Sequence, residues 1–460
     1  MSKFTVIEGE RIEVREPDAE RPPEFSDEAL ALAFATAHAD DLRYVAKLNK
    51  WMIWDGKVWW PDDTLRAFDL ARAACRAAAA RAPDKRVAAS IASAKTSAAV
   101  ERLAKADRRL AATTDQWDAD PWLLNTPAGI IDLRSGQTAP HSAAMYMTKI
   151  TAVAPGGECS TWFAFLDRVT GGDVELQNFF QRFVGYALTG STREHALAFH
   201  HGTGANGKSV FTGAVAGMLG GYHTNAPIET FTASNLDRHP TELAGLRGAR
   251  LVTAVETEEG RRWAEARIKA LTGGDPITAR FMRQDFFTFT PVFKLMIAGN
   301  HKPGLRSVDE AIRRRFLLVP FNVTIPAAER DLTLFDKLKE EWGGILAWAI
   351  EGCLEWQRQG LAPPATVLHA TAKYLEAEDA IAAWIEDRCD IDSEGFATYG
   401  ELFGSFKAWA ERTGEDAGTQ KRFIQSLEDR GFHLHRTSSA RGFRGIRVRP
   451  PSPDDPWSNR

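Results

Sequence analysis

A chain of 460 residues, 44% hydrophobic and 26% charged, has the balance of a folded globular protein of about three domains. That composition excludes a predominantly disordered, collagenous or membrane-embedded chain. The net charge of −4 gives no chain-wide field to draw in a polyanion, so any contact with nucleic acid has to come from local patches.

Met1 to Glu24 is charged without an apolar centre, and no apolar run is long enough to cross a bilayer. Neither a signal peptide nor a membrane contact is expected. Residues 1–25 read as a flexible lead-in. An amphipathic helix begins after Ser26, which suits its N-cap. The aromatic runs Trp51–Trp54 and Val58–Trp60 flank Asp55-Gly56, a hairpin signal. Residues 71–112 hold 18 alanines in 42, which predicts helices broken near Pro83. From Asp115 to Ile150 short apolar runs between turn residues predict small strands and loops, and 160–190 returns to helix. The four cysteines, Cys75, Cys159, Cys353 and Cys389, form no CxxC pair. They read as buried thiols of a cytoplasmic protein rather than zinc or redox ligands.

Between 196 and 322 short apolar strands alternate with helices, the pattern of an α/β sandwich. The expected strands are Ala196–His200, Arg250–Val255, Phe293–Ala298 and Phe316–Phe321. A helical, tryptophan-bearing segment follows over 323–378. From 379 to 449 the order is helix, helix, β-hairpin, with Thr398 and Glu401 as a capping box. Residues 450–460 read as a tail.

Gly202, Thr203, Gly204, Ala205, Asn206, Gly207, Lys208 and Ser209 match G-x-x-x-x-G-K-[ST] at every fixed position, between an apolar strand and a helix. In that setting backbone N–H groups wrap phosphate oxygens, Lys208 reaches the β- and γ-phosphates of ATP, and Ser209 takes Mg²⁺. Glu256 ends the next apolar strand, with Glu258 and Glu259 directly after it. One carboxylate suits the metal and another the attacking water, unless the stretch is merely a solvated acidic turn. Asn300 ends a further strand, where an amide can contact a γ-phosphate or simply form a turn. Arg313-Arg314-Arg315 precedes the last strand, as phosphoryl-stabilising guanidinium groups or as a basic surface cluster.

In order and spacing these motifs resemble superfamily 3 helicases, specifically the phage/plasmid and poxvirus primase–helicase group. The matching text also includes Lys269 to Ile277 with Arg280, Ala298 to Pro303, and Val319 to Phe321. Upstream, Trp51–Trp60 and Asp120–Leu133 look like that family's domain linking primase to helicase. The resemblance implies a multidomain α/β protein. Residues 26–195 would form a mainly helical collar with small β elements, 196–322 an AAA+ ATPase core, and 379–449 a winged helix. It implies an ATP-driven homo-oligomer, usually hexameric, moving 3′ to 5′ on single-stranded DNA. By the same resemblance Glu256 organises metal and water, Asn300 senses the γ-phosphate, and Arg314, with Arg315 as second choice, reaches into the next subunit's site. Arg280 and Arg283 would contact DNA from a pore hairpin over 280–288, with Lys269 as a further DNA contact, while Phe286 and Phe287 are expected to pack in the core. About 25 residues precede the collar here, where family members often carry a primase module, so primase activity is not expected from this chain, and whether a separate primase docks on it is open. Here Thr257 follows Glu256 where the family commonly has two adjacent acids, so the second acid is open between Glu258 and Glu259.

Residues 419–449 carry eight Lys/Arg against two acids, a local +6. Lys421, Arg422, Arg441 and Arg444 on the second helix and wing suit duplex DNA. A protein-docking module would look similar. The competing functional class is an AAA+ ATPase that remodels or loads a replication partner without translocating.

Overall fold

The computed structural model describes residues 22–450, apart from 234–240, 257–260, 283–284, 306–307, 416 and 437–439. The expected lead-in before residue 22 and the tail after 450 lie outside the described residues, as do Glu258, Glu259 and Arg283.

The chain divides into two units, one reaching Ala119 and including Ser142–Thr148, the other comprising Asp120–His141 and Lys149 onward. In the first, α1 (Asp27–Ala37) starts at Ser26, whose hydroxyl accepts from the Ala29 N–H at 3.2 Å. Strands β1 (Leu42–Val45), β2 (Lys50–Trp54) and β3 (Trp59–Pro61) run antiparallel around the Asp55-Gly56 turn. The alanine-rich stretch forms α2 (Arg66–Ala79), α3 (Lys85–Ile91) and α4 (Ala94–Ala104), interrupted where Asp84 caps α3. Small side chains such as Ala35, Ala67 and Ala71 are fully buried, which lets these helices pack closely. β4 (Ala111–Ala112) completes a sheet of order β3-β2-β1-β4.

The second unit begins with a small antiparallel sheet, β5 (Leu123–Thr126), β6 (Gly129–Asp132) and β7 (Gln137–Ala139). Two helices follow, α5 (Ser160–Thr170) and α6 (Val174–Ala187). Next comes β8 (Leu197–His201), then α7 (Lys208–Leu219), β9 (His223–Asn225), α8 (Thr241–Ala244), β10 (Leu251–Glu256) and α9 (Glu265–Gly273). The hairpin β11 (Ile277–Ala279) and β12 (Phe287–Phe289) precedes β13 (Lys294–Gly299), α10 (Glu310–Arg313) and β14 (Phe316–Pro320). Five strands make one parallel sheet of order β14-β8-β13-β10-β9. Alternate residues serve opposite faces. Ala198, Leu251, Met296 and Val319 join a core with α5, α6 and α7, while Leu197, Phe199, Val252 and Ile297 join one around Trp263 and Tyr374.

The sequence placed a boundary at 195/196, but α5 and α6 fold with the parallel sheet rather than with the first unit. Their buried faces, with Trp162, Phe165, Phe180 and Phe183, cover α7 and the sheet. An apolar helix face is visible in sequence; its partner is not. Two buried cations tie α6 to the sheet. Arg250 donates to the Leu188 carbonyl at 2.5 Å and Lys294 to that of Thr189, satisfying acceptors at the helix C-terminus.

After β14 come α11 (Leu334–Glu340), α12 (Trp342–Gln359) and α13 (Ala365–Ala377). α6 crosses α12 at two glycines. A Cβ on Gly185 would sit 2.1 Å from the Cys353 nitrogen, and one on Gly352 would sit 2.1 Å from the Gln181 oxygen. The C-terminal part is α14 (Ala380–Arg388), β15 (Cys389–Thr398), α15 (Tyr399–Thr413), α16 (Gln420–Asp429), β16 (His433–Arg436) and β17 (Arg441–Val448). Its three strands form an antiparallel sheet, β15-β17-β16, over a core including Trp384, Phe406, Phe423 and Phe443. The capping box at Thr398 and Glu401 is formed. β15 is an addition to the sequence reading, because Asp390, Asp392, Ser393, Glu394 and Gly395 look like a loop. All four cysteines are buried and free.

Candidate functional site

Strand register sets the site. Glu256 lies opposite Gly299, Gly299 opposite His201, and His201 opposite Pro320. Four parallel strands therefore finish in one row, the edge where such sheets bind ligands. The 202–209 loop leaves β8 at this row and enters α7, whose N-cap Gly207 has φ +86°. Glycine is required at Gly202, where a Cβ would meet the Phe321 oxygen at 2.4 Å, and at Gly207, where it would meet Val169 at 2.5 Å.

Lys208 is only 6% exposed. Its ammonium donates to the Gly202 oxygen at 2.6 Å, to Asn206 Oδ1 at 3.1 Å and to Asn300 Oδ1 at 3.1 Å. Asn206 in turn donates to the Phe321 carbonyl at 3.1 Å. Burial pulls the Lys208 pKa down from its usual range. Glu256 is buried at the end of β10, and a Cβ on Gly299 would lie 2.9 Å from its own, so the glycine makes room for it. Ser209, in the first turn of α7, is exposed, as are Thr203 and Ala205. His201 stands within the row, between Gly299 and Pro320; burial, followed by the charges of Lys302 and Lys208, pushes its pKa to about 4, so it is neutral at pH 7.

The segment after β14 contributes in a way the sequence did not signal. The Phe321 N–H donates to the His201 carbonyl at 2.7 Å and the Ile325 N–H to that of Ala205 at 2.8 Å. Glu329 then pairs with Arg168 of α5 at 2.6 Å. Backbone hydrogen bonds of this kind leave no mark on residue type.

The arginine triplet sits at the other end of the sheet. The Leu197 N–H donates to the Arg315 carbonyl at 2.8 Å, so the triplet lies at the start of β14 and β8. A five-residue strand at about 3.3 Å per residue separates it from the Lys208 edge. Arg315 is 7% exposed, with its guanidinium on Thr272 Oγ1 at 3.2 Å and the Ala311 oxygen at 2.9 Å. It turns inward. Arg313 reaches Asp379 at 3.4 Å, and Arg314 between them is exposed, with no ion pair among the described residues.

The candidate DNA contacts are spread apart. Lys269 on α9 is held in an ion pair by Asp309, the N-cap of α10. Arg280 lies with its guanidinium 4.8 Å over the Phe286 ring, beside the β11–β12 hairpin. Phe287 is half-buried against the core, but Phe286 is 59% exposed, contrary to its expected packing. It lies immediately before β12, and Phe281 and Met282 nearby are exposed too. On the C-terminal part Lys421, Arg422, Arg441 and Arg444 all lie at the surface. Arg422 also approaches Glu265 at 3.7 Å. The local +6 is partly offset by acids outside its window. Arg430 pairs with Asp379, and Asp390 of β15 pairs with Arg447 at 3.5 Å and Arg449 at 2.9 Å.

Residues 31–171 match a family model described as D5 N terminal like, and residues 200–315 match one described as a family of unknown function, DUF5906. The chain is 26% identical over 262 residues to "Putative helicase 022R" of Frog virus 3 (isolate Goorha), covering 52% of this chain and 26% of that protein. It is 23% identical over 320 residues to "Putative helicase L207/L206" of Acanthamoeba polyphaga mimivirus, covering 64% and 33%. The chain thus spans about a quarter to a third of the length of these viral relatives. In fold it is similar to the apo NrS-1 C terminal region, with a TM-score of 0.50 at 11% identity over 78% of this chain and 77% of that one. Among the described residues no helix is long and apolar enough to cross a membrane.

Proposed function

We propose that this chain is an ATP-dependent DNA helicase of the superfamily 3 AAA+ type, acting in replication of a phage, prophage or plasmid. The observation that carries the reading is the convergence of Lys208, Gly202, Asn206 and Asn300 on one point of a parallel sheet's C-terminal edge. The similarity to helicase-named viral proteins supports it. Backbone N–H groups of 202–209 and Lys208 bind the phosphates of ATP, and the space within 4 Å of a Cβ at Gly204 is open, as a phosphate cradle needs. Among the described residues no three His, Cys, Asp or Glu side chains are grouped to hold a metal alone. Mg²⁺ would be held beside the phosphates by the Ser209 hydroxyl and the Glu256 carboxylate. ATP supplies the transferable phosphoryl group. Asn300 orients the γ-phosphate or the attacking water, with Glu258 or Glu259 as the second acid.

Arg314 lies at the opposite end of the sheet from its own chain's Lys208, which supports the proposal that it serves a neighbour's site. That supports a ring, proposed as a hexamer translocating 3′ to 5′ in the cytoplasm, with a separate primase as a further proposed partner. Lys269, Arg280 and Arg283 are proposed to track single-stranded DNA. The C-terminal part is proposed to be a winged helix, gripping DNA through Lys421, Arg422, Arg441 and Arg444. The test is hydrolysis with and without single-stranded DNA, on protein whose mass is followed with Mg²⁺ and a non-hydrolysable ATP analogue. Stimulation together with a ring-sized assembly is the expected result. Hydrolysis indifferent to DNA would instead favour a remodelling ATPase, a reading supported by the ion pairing of Arg430, Arg447 and Arg449.

A further inference from the structure

Asp379 caps α14 and is only 6% exposed, yet two guanidinium groups from separate parts of the fold converge on its carboxylate. Arg430, the C-cap of α16, donates to Oδ1, which also accepts from the Ala382 N–H at 3.1 Å. Arg313, the last residue of α10, approaches Oδ2 at 3.4 Å. One buried carboxylate therefore connects the helix bearing Lys421 and Arg422 to the residue directly before Arg314. On its other side Arg314 is flanked by Arg315, which is fixed to Thr272 and Ala311. A cavity of about 670 Å³ opens between α10 and α16, lined by Asp309, Glu310, Arg313, Asp379, Arg422 and Arg430 among others. Charged side chains spanning a void can change partners without the loss of packing that separating two apolar faces would bring.

We propose that Asp379 is a positioning residue for Arg314, so that DNA held by α16 acts through Arg430 and Arg313 on how Arg314 is presented to the neighbouring subunit. This rests on the helicase reading and adds its regulation. A strain on Arg430 changes how the shared carboxylate is divided between the two cations. Arg313 then moves, and with it the adjoining backbone at Arg314, while Arg315 stays anchored to the core.

The test uses the whole chain as wild type, R430Q, R430K, D379N and R314A. Hydrolysis with and without a single-stranded oligonucleotide is read beside binding of a fluorescent ATP analogue and of labelled DNA. R430Q should keep basal hydrolysis and both binding affinities while its DNA-stimulated rate falls about tenfold. R430K, which retains the ion pair, should recover most of the stimulation, a rescue that a purely structural role for Arg430 would not require. D379N should lower kcat with little change in KM; should it fold poorly, the two Arg430 variants decide alone. Wild-type stimulation in R430Q overturns the proposal, as does a wild type whose hydrolysis ignores DNA. An inactive R314A beside a fully stimulated R430Q would defeat this inference only. Normal turnover in R314A would defeat the intersubunit reading and this inference with it.

Discussion

Lys208 and Asn300 stand 92 residues apart in sequence and meet at 3.1 Å, the ammonium donating to the amide oxygen. An ammonium can only donate, so this contact fixes which end of Asn300 faces Lys208 and leaves the amide NH₂ to donate elsewhere. One strand end thus places a donor beside the lysine's charge, where a terminal phosphate and its attacking water would both need one.

Asn300→Ala should lower kcat about a hundredfold with little change in nucleotide KM, since the contact proposed for its amide with the γ-phosphate or the attacking water would act mainly in the transition state. Lys208→Ala should abolish hydrolysis and weaken nucleotide binding. Lys208 is buried, so fold retention has to be checked by circular dichroism in the same preparation. Turnover at the wild-type rate in either variant would remove that residue from the site.

Arg314 and Arg315 should separate cleanly. Arg314→Ala removes an exposed side chain, so thermal stability should hold while hydrolysis falls about a thousandfold. Mixing it with Lys208→Ala subunits should restore part of the activity. Arg315→Ala strips hydrogen bonds from Thr272 and the Ala311 carbonyl inside the core, at about 1–3 kcal/mol. Its signature is a lower melting temperature. Equal stability of the two variants would contradict this division.

Acid should destabilise the protein through His200. The ring is 1% exposed and lies 5.2–6.0 Å from Phe180, Phe211 and Phe321. Burial, then the charge of Lys208, lowers its pKa from 6.5 to about 3. The unfolded chain takes up this proton near pH 6.5, whereas the folded chain refuses it until about pH 3. This contribution is therefore complete above pH 6.5 and is lost as the pH falls toward 3, at up to about 1.4 kcal/mol per pH unit. His201, lowered to about 4, adds in the same direction. Urea unfolding at pH 7 and pH 4.5 should show a steep loss in wild type and a shallower one in His200→Leu. Parallel losses would rule His200 out.

Salt dependence of DNA binding should sort the basic residues of the C-terminal part. Lys421→Ala and Arg441→Ala, at the surface, should each reduce the slope of log K against log salt by about 0.7–0.9. Arg447→Ala should leave it nearly unchanged, because Asp390 and Asp392 already hold that cation at 3.5 and 3.9 Å. Fluorescence anisotropy across a salt series measures all three.

The α6–α12 crossing tolerates no added carbon. A Cβ on Gly185 would press on the Cys353 nitrogen at 2.1 Å and the Ala349 oxygen at 2.7 Å, both backbone atoms. Gly185→Ala should therefore cost about 3 kcal/mol or more despite the better helix propensity of alanine. Gly404→Ala on α15 meets nothing within 4 Å and should stabilise by about 0.5–1 kcal/mol. Opposite shifts in melting temperature are the expected outcome.

The sequence by itself determined the pieces whose signals are local. It located the glycine-bearing loop at 202–209, four of the five strands of the parallel sheet, the alanine-rich helices with their break, and the caps at Ser26 and Thr398. Each depends on residues within a few positions of one another, such as a run of β-formers or a hydroxyl three residues ahead of a free N–H.

Only the tertiary structure decided what each piece faces. It turned Arg315 into the core and left Arg314 outside, exposed Phe286, and packed α5 and α6 against the sheet. It also brought Arg313 and Arg430 to one carboxylate from 66 and 51 residues away. Periodicity marks a face as apolar and composition marks a segment as basic. Neither names the opposing surface, because burial and charge compensation belong to pairs of distant residues whose meeting is set by how the whole chain packs.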